Sequence, residues 1–215
     1  MFVLFLLFTI SALAQKQPNA RFNVNHGVFL NKIDSAIAKK IKITNFNNNT
    51  VGVVFPAEYG KQLFGDNKWF AGYTFITPDT DLVKSIDNEL FNQYCRAVSH
   101  LNDLNWQDII AGSQDDAKEL ARIKKDRRKD LREIAKYCPI WRENLKYYDK
   151  QYIGYKTPSG EEIIFIQLLD FREDPYHLKP AFYRSWIDGW HGWFETNLRV
   201  LHFHVEKKLV TVNED

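Results

Sequence analysis

Residues 82–101 carry apolar side chains on one face of a predicted helix. They recur every three or four positions, with polar residues between them, at Leu82, Ile86, Leu90, Tyr94, Val98 and Leu101. This spacing is typical of an amphipathic helix whose apolar stripe packs into a core. Just upstream, Thr77 can act as the N-cap with Pro78 at the first helical position, and Asp79 and Asp81 favour the positive helix end. The pattern predicts a helix that begins at Thr77.

A second helical pattern runs from about residue 115 to residue 137. Its centre, residues 124–130, contains only charged side chains. Such a block is typical of a solvated helix face or a projecting hairpin, although contact with an anionic surface stays open. Pro139 lacks the amide hydrogen of a helix interior, so we expect the helix to end there. A short third helix is expected within residues 141–148.

The remaining patterns predict β-strands. Residues 42–46 and 51–55 are apolar-rich and flank an Asn-rich turn, and residues 151–155 and 163–169 flank Thr157-Pro158-Ser159-Gly160. Proline at the second position and glycine at the fourth fit a type I turn, which predicts a hairpin. Residues 193–205 and 209–212 are expected to form the last two strands. The fold class is therefore α+β, with two or three helices packed on one face of a mostly antiparallel sheet.

The first fourteen residues form an apolar segment that ends in small residues. Residues 2–10 are nearly all apolar, and Ala12 and Ala14 give the spacing that signal peptidase recognises. We expect a signal peptide over residues 1–14, followed by one α+β domain over residues 15–215. Export would place the protein in the periplasm or outside the cell. A buried N-terminal strand and an uncleaved anchor stay open as alternatives.

Composition and charge narrow the range of partners. The chain has 215 residues, is 45% hydrophobic and 15% aromatic, and has a formal net charge of +2. This balance of charge argues against nucleic acid as a partner, because a domain that binds nucleic acid is usually clearly basic. No later segment is long and apolar enough for a membrane span. Cys95 and Cys138 make an even pair, which indicates a disulfide in an exported protein, while two separate buried thiols stay open.

One stretch resembles a known group of proteins. Residues 148–155, with the run Gln151-Tyr152-Ile153-Gly154-Tyr155, a glycine turn and a second strand from Ile163, are similar to a pattern in small exported proteins of Gram-negative bacteria to which no activity is assigned. Asp188-Gly189, Phe194 and Val212-Asn213 match later parts of that pattern. Lys150 stands where the group has arginine, and Trp190 and Glu214 stand where it has glycine. The resemblance implies export and an α+β architecture.

The favoured candidate for a ligand-binding surface is a cluster of aromatic residues. It comprises Phe182, Tyr183, Trp186, Trp190 and Trp193. Exposed tryptophan and tyrosine rings can stack on sugars or aromatic ligands, and their N–H and O–H groups add polar contacts. The cluster thus predicts a glycan or protein partner for Tyr183, Trp186, Trp190 and Trp193. A plain aromatic core is the alternative.

Histidines supply the candidate metal site. His202 and His204 are two residues apart on a predicted strand, so both imidazoles lie on one face. They can ligate one metal ion such as zinc, with His191 or a carboxylate as the third ligand. A pair of ordinary strand residues is the alternative. The chain lacks G-x-S-x-G, P-loop and G-x-G-x-x-G motifs. Asp170, Glu173, Asp174 and His177 form an acid-rich connector that could hold an acid–base pair, although such clusters are usually solvated loops.

Together these patterns favour a non-enzymatic exported module that binds a ligand or partner through residues 186–194, without a cofactor. A metal-binding protein or metal-dependent hydrolase centred on His202 and His204 is the first alternative. A structural component of the cell envelope is the second. No catalytic residue is assigned.

Overall fold

The structure, a computed structural model, describes residues 20–23, 28–31, 33–113, 116–189 and 192–212. The predicted signal peptide over residues 1–14 lies outside these ranges, as do Trp190 and His191. Among the described residues, no helix combines the length and the apolar composition needed to cross a membrane.

Within the described ranges the chain forms six α-helices and ten strands. The helices are α1 (Ser35–Ala38), α2 (Ala57–Phe64), α3 (Thr80–Gly112), α4 (Ala117–Asn144), α5 (Lys179–Phe182) and α6 (Trp193–Asn197). The strands are β1 (Ala20–Asn23), β2 (Val28–Asn31), β3 (Lys42–Asn45), β4 (Val51–Val54), β5 (Thr74–Ile76), β6 (Tyr148–Lys156), β7 (Glu162–Asp170), β8 (Ile187–Gly189), β9 (Leu198–His204) and β10 (Leu209–Thr211). A 3-10 turn at Leu145–Tyr147 joins α4 to β6.

Seven strands form one mixed sheet, which confirms the α+β class. The order is β10-β9-β7-β6-β4-β3, and β5 pairs with the far end of β6. Every pairing is antiparallel except that of β4 with β6. This parallel pair is joined by a crossover through α2, β5, α3 and α4, whereas short turns join the antiparallel pairs β3–β4, β6–β7 and β9–β10. Strands β1, β2 and β8 form a separate three-stranded sheet.

The central hairpin of β6 and β7 agrees with the sequence prediction. Its register pairs Tyr148 with Asp170 and Lys156 with Glu162. The turn is closed by a hydrogen bond from the Gly160 amide to the Thr157 carbonyl at 2.9 Å, and Gly160 has φ of +90°. That backbone conformation is accessible to glycine and strained for residues with a Cβ, which explains why the turn ends at this position.

Strand alternation divides the core into two layers. Ile164, Ile166 and Leu168 of β7 pack against α3 and α4, while Phe165 and Leu169 point to the opposite face. The two long helices lie on one face as predicted, and the disulfide Cys95–Cys138 joins them with a Cα–Cα distance of 5.6 Å. The pairing predicted for these cysteines is therefore present.

Short elements cover the second face of the sheet. Gln151, which is fully buried, donates from Nε2 to the carbonyls of Phe182 and Ser185 at 2.8 and 2.7 Å, and its Oε1 accepts from the Ile187 amide at 3.3 Å. The buried Gln167 donates to the carbonyl of Ile187. Because buried backbone groups need partners, these two amides fix the segment from Phe182 to Ile187 against the sheet.

The start of α3 and the end of α4 both differ from the sequence prediction. Helix α3 is capped by Asp79, whose carboxylate accepts from the amides of Asp81 and Leu82 at 2.8 and 3.2 Å. Thr77 is not the cap, because its hydroxyl accepts instead from the Ala57 amide at 3.0 Å. The Thr77 side chain, which the local pattern assigned to the cap of α3, therefore contacts the first residue of α2 instead.

The expected break at Pro139 is wrong, since α4 continues through it to Asn144. Proline in a helix interior costs about 3 kcal/mol or more, because a hydrogen bond is lost and the ring clashes with the preceding turn. Buried residues on both sides, Ile134, Cys138 and Leu145, hold the helix to the core. The strand predicted from residue 193 is also wrong at its start, because residues 193–197 form α6 and the strand begins at Leu198.

Candidate functional site

Two of the tryptophans proposed for ligand stacking are core residues. Trp186 is 1% exposed, and its ring stacks on Phe165 at a centroid distance of 5.2 Å. Trp193 is 9% exposed, stacks on Phe171 and donates from its indole to the Glu173 carbonyl. An incoming ligand could not stack on these buried faces, so both belong to the layer that covers the sheet. Tyr183 is half-buried, and Trp190 lies outside the described residues.

The two histidines of β9 lie on one face, as the strand period requires, but they have different surroundings. His202 is buried with its ring against Tyr155 and Phe165. His204 is bonded through Nδ1 to Glu161 Oε1 at 2.9 Å and through Nε2 to Thr211 Oγ1 at 3.2 Å. Over the described ranges, no cluster of three or more His, Cys, Asp or Glu side chains has a geometry that could hold a metal ion. His191, the third ligand suggested by the sequence, lies outside those ranges.

His202 should make the folded protein sensitive to acid. Burial, with a smaller contribution from His204, lowers the pKa of His202 to about 4 from an ordinary 6.5. Between these values the unfolded state binds a proton that the folded state does not, so stability is full above pH 6.5 and falls as the pH drops to 4. The loss attributable to this group is about 3 kcal/mol.

Urea unfolding at pH 7 and pH 4 will measure this effect. His202→Phe, which keeps a ring in the core, should lose less stability on acidification than the unmodified protein. The exposed His177→Gln serves as the control and should behave like the parent. An unchanged acid loss in His202→Phe would assign the sensitivity to other groups.

A polar cleft of about 170 Å³ opens where the sheet meets the middle of α3 and the last turns of α4. We call it the arginine cleft, lined by Tyr94, Trp141, Asn144, Leu145, Tyr148, Asp170, Arg172, Thr196, Asn197 and Arg199. None of the aromatic or histidine residues singled out from the sequence lines it. Among the residues considered earlier for their chemistry, only Asp170, noted as part of an acid-rich connector, lines it.

Strand register brings the floor of the cleft together. Tyr148 begins β6 opposite Asp170 at the end of β7, and Leu198 begins β9 opposite Leu169. Helix α3 contributes Tyr94, and the last turns of α4 contribute Trp141 and Asn144. The disulfide lies next to this wall, because Cys95 follows Tyr94 and Cys138 is one helical turn before Trp141. The cross-link therefore fixes the helical side of the cleft.

Asp170 and Arg172 neutralise each other at one side of the cleft. Arg172 Nε contacts Asp170 Oδ1 and Oδ2 at 3.0 and 2.9 Å, and the Asp170 side chain is 5% exposed. This contact raises the pKa of Arg172, which stays charged. The guanidinium also lies over the Tyr147 ring, 4.2 Å from its centroid. The buried carboxylate thus holds Arg172 in a fixed position.

Arg199 is differently placed. It is half-buried, and its Nη1 donates to the carbonyls of Leu198 and Glu195 at 2.6 and 3.2 Å. The phenol of Tyr94 lines the same cleft. Among the residues that the structure describes, no carboxylate forms an ion pair with Arg199. Its positive charge is therefore held inside the cleft by neutral partners.

Two phenols complete the polar lining. Burial raises the pKa of Tyr94 and of Tyr148, although Arg199 offsets part of this rise for both. Both groups stay protonated at neutral pH, and the Tyr148 hydroxyl donates to the Thr196 carbonyl at 3.4 Å. The cleft thus presents a fixed cation beside neutral hydroxyls, an arrangement suited to holding an anion.

No family model, curated protein or solved structure matches this chain. Sequence reasoning missed Tyr94, Tyr148, Arg172 and Arg199 because they come from four separate elements and share no local motif. Tyr94 did have a signal, since it lies on the predicted apolar stripe of α3. Its hydroxyl, a polar group on an otherwise apolar stripe, was the available hint of a site.

Proposed function

We propose that this protein binds a ligand that carries a carboxylate, with Arg199 as the main anchor in the arginine cleft. The half-buried guanidinium of Arg199, without a carboxylate partner in the described chain, carries the proposal. A charge removed from water is costly unless an opposite charge compensates it, so an anionic ligand gains from entering here. Binding rather than catalysis is favoured, since burial raises the pKa of Tyr94 and of Tyr148 and the contact with Asp170 raises the pKa of Arg172, so these groups hold their protons at neutral pH.

The shape and chemistry of the cleft favour a carboxylate. A planar guanidinium can bind both oxygens of a carboxylate at once, and the protonated hydroxyl of Tyr94 adds a donor. Asp170 lies in the same cleft, but its charge is compensated by Arg172. A single negative charge fits this balance, because one guanidinium is left uncompensated.

We also propose that the protein acts outside the cytoplasm. The Cys95–Cys138 disulfide supports this location, because such bonds persist in oxidising compartments. The apolar segment over residues 1–14, with its small residues at Ala12 and Ala14, supports export independently. Resemblance to small exported proteins of Gram-negative bacteria is consistent with the same location.

Thermal unfolding in the presence of N-acetylglycine tests the proposed function. At ten times its dissociation constant, a ligand of the folded state adds about 1.4 kcal/mol, because stabilisation follows RT ln(1 + [L]/Kd). For a chain of this size the midpoint should rise by about 3–6 °C. The neutral N-acetylglycinamide should give no shift.

Variants at Arg199 make the test specific. Arg199→Gln should abolish the shift, and Arg199→Lys should retain part of it, because lysine keeps the charge but loses the planar pair of donors. Arg128→Gln, on the exposed face of α4, should leave the shift intact. Each shift is read against the variant's own midpoint without ligand. Equal stabilisation of the parent and Arg199→Gln would refute the proposal.

A further inference from the structure

An exposed apolar surface borders the arginine cleft. It consists of Tyr137, Ile140, Trp141 and Tyr147, and we call it the aromatic shelf. Tyr137, Ile140 and Tyr147 are 39%, 58% and 42% exposed, and Trp141 is half-buried at the edge of the cleft. Large side chains exposed together in this way are typical of a contact surface.

The shelf leads directly into the cleft. Tyr137, Trp141 and Asn144 are spaced by four and three residues along α4, so they lie in a row on one face of the helix. The rings of Tyr137 and Trp141 are nearly parallel, with centroids 6.4 Å apart. Trp141 and Asn144 both line the cleft. With a rise of about 1.5 Å per residue, the row extends about 10 Å along α4.

Cations surround the shelf. The Lys136 ammonium lies over the Tyr137 ring at 4.7 Å from its centroid, and the Lys146 ammonium lies over Tyr147 at 5.1 Å. Arg172, which lines the cleft, covers Tyr147 as well. The only carboxylate on the same turns of α4, Glu143, lies 3.6 Å from Arg142 in an ion pair. The surroundings therefore favour a ligand that is apolar and negatively charged.

We propose that the ligand is the carboxyl terminus of a polypeptide whose last residues are apolar or aromatic, with its terminal carboxylate on Arg199 and its side chains on the aromatic shelf. This inference rests on the proposed function. The length of the shelf favours a chain end over a single small molecule, because about 10 Å corresponds to three residues of extended chain. The cleft itself takes only the terminal group.

Calorimetric titration of the full chain with matched peptides tests the inference. Acetyl-Ala-Leu-Phe carries both the carboxylate and the apolar side chains, acetyl-Ala-Gly-Gly carries the carboxylate alone, and acetyl-Ala-Leu-Phe amide lacks the terminal charge. We expect the first peptide to bind at least tenfold more tightly than either of the others. It should also bind more tightly than 3-phenylpropionate, which has one ring and one carboxylate.

Variants of the shelf separate it from the cleft. Ile140→Ala and Tyr137→Ala, at shelf residues that do not line the cleft, should each reduce the preference for acetyl-Ala-Leu-Phe over acetyl-Ala-Gly-Gly by at least threefold, and leave the affinity for acetyl-Ala-Gly-Gly unchanged. Tyr137 is exposed enough to be replaced without loss of folding. Trp69→Ala removes a tryptophan that is 61% exposed elsewhere on the chain and should change neither affinity.

Three results would overturn the inference. Equal affinity for the two free-acid peptides would show that the aromatic shelf does not contribute to binding. The proposed function, binding of a carboxylate by Arg199, would be unaffected by this result. Binding of 3-phenylpropionate as tightly as acetyl-Ala-Leu-Phe would indicate a small free ligand instead of a chain end. Absence of binding by every carboxylate would refute the proposed function and this inference together.

Discussion

Reduction of the Cys95–Cys138 disulfide is expected to lower the free energy of unfolding by about 4 kcal/mol. The bond closes a segment of 43 residues that spans most of α3 and α4. In the chain-entropy account, the open chain gains the conformations that this loop excludes, and the unfolded state is stabilised. The midpoint of thermal unfolding should fall by about 8–16 °C for a protein of this size.

Differential scanning calorimetry with and without a phosphine reductant measures this loss. Both cysteines of the chain take part in the bond, so the reductant has one target. The double variant Cys95→Ala and Cys138→Ala should unfold at a similarly low temperature and should not respond to reductant. An unchanged midpoint after complete reduction, verified by thiol titration, would show that packing alone holds the two helices together.

The second large effect is expected at Asp87. Lys150 is 2% exposed, and its ammonium lies 2.9 Å from Asp87 Oδ1, donates to the Tyr148 carbonyl at 3.0 Å and faces the Phe46 ring. Asp87→Asn keeps the shape of the side chain and removes the compensating charge. Because a buried charge without its partner is costly, we expect a loss of about 3–5 kcal/mol in chemical denaturation.

A second substitution separates the charge from the packing. Lys150→Met in the Asp87→Asn background removes the uncompensated ammonium and keeps an apolar chain of similar length, so stability should largely return. Asp108→Asn, exposed on the same helix, should change stability by less than about 0.5 kcal/mol. If Asp87→Asn alone is as mild as Asp108→Asn, the ion pair does not stabilise the fold.

The local sequence pattern predicted the structure correctly where residues that are close in sequence are also close in space. The hairpin of β6 and β7 followed from two apolar-rich segments around a turn whose proline and glycine suit one backbone conformation. The amphipathic stripe of α3 followed from a spacing that only a helix converts into one face. The disulfide was indicated by cysteine count and expected export, although its geometry came from the packing of α3 on α4.

Local pattern failed where a distant contact outweighed it. Pro139 is tolerated because buried residues hold α4 to the core and a disulfide at the adjacent Cys138 joins it to α3. The Thr77 hydroxyl accepts a hydrogen bond from the first residue of α2, and Asp79 is the N-cap of α3. Trp186 and Trp193 looked like ligand-binding residues because nothing in sequence spacing tells an exposed indole from one covered by a second layer.

The sequence by itself determined the fold class, the central hairpin and the long helix, because their signals are periodicities within one segment. Tertiary structure decided the parallel pairing of β4 with β6, the second buried face and the arginine cleft. Tyr94, Tyr148, Asp170 and Arg199 are far apart along the chain and meet only through strand register and helix packing. A site of this kind depends on which ends of which elements coincide, and that is set by the whole core.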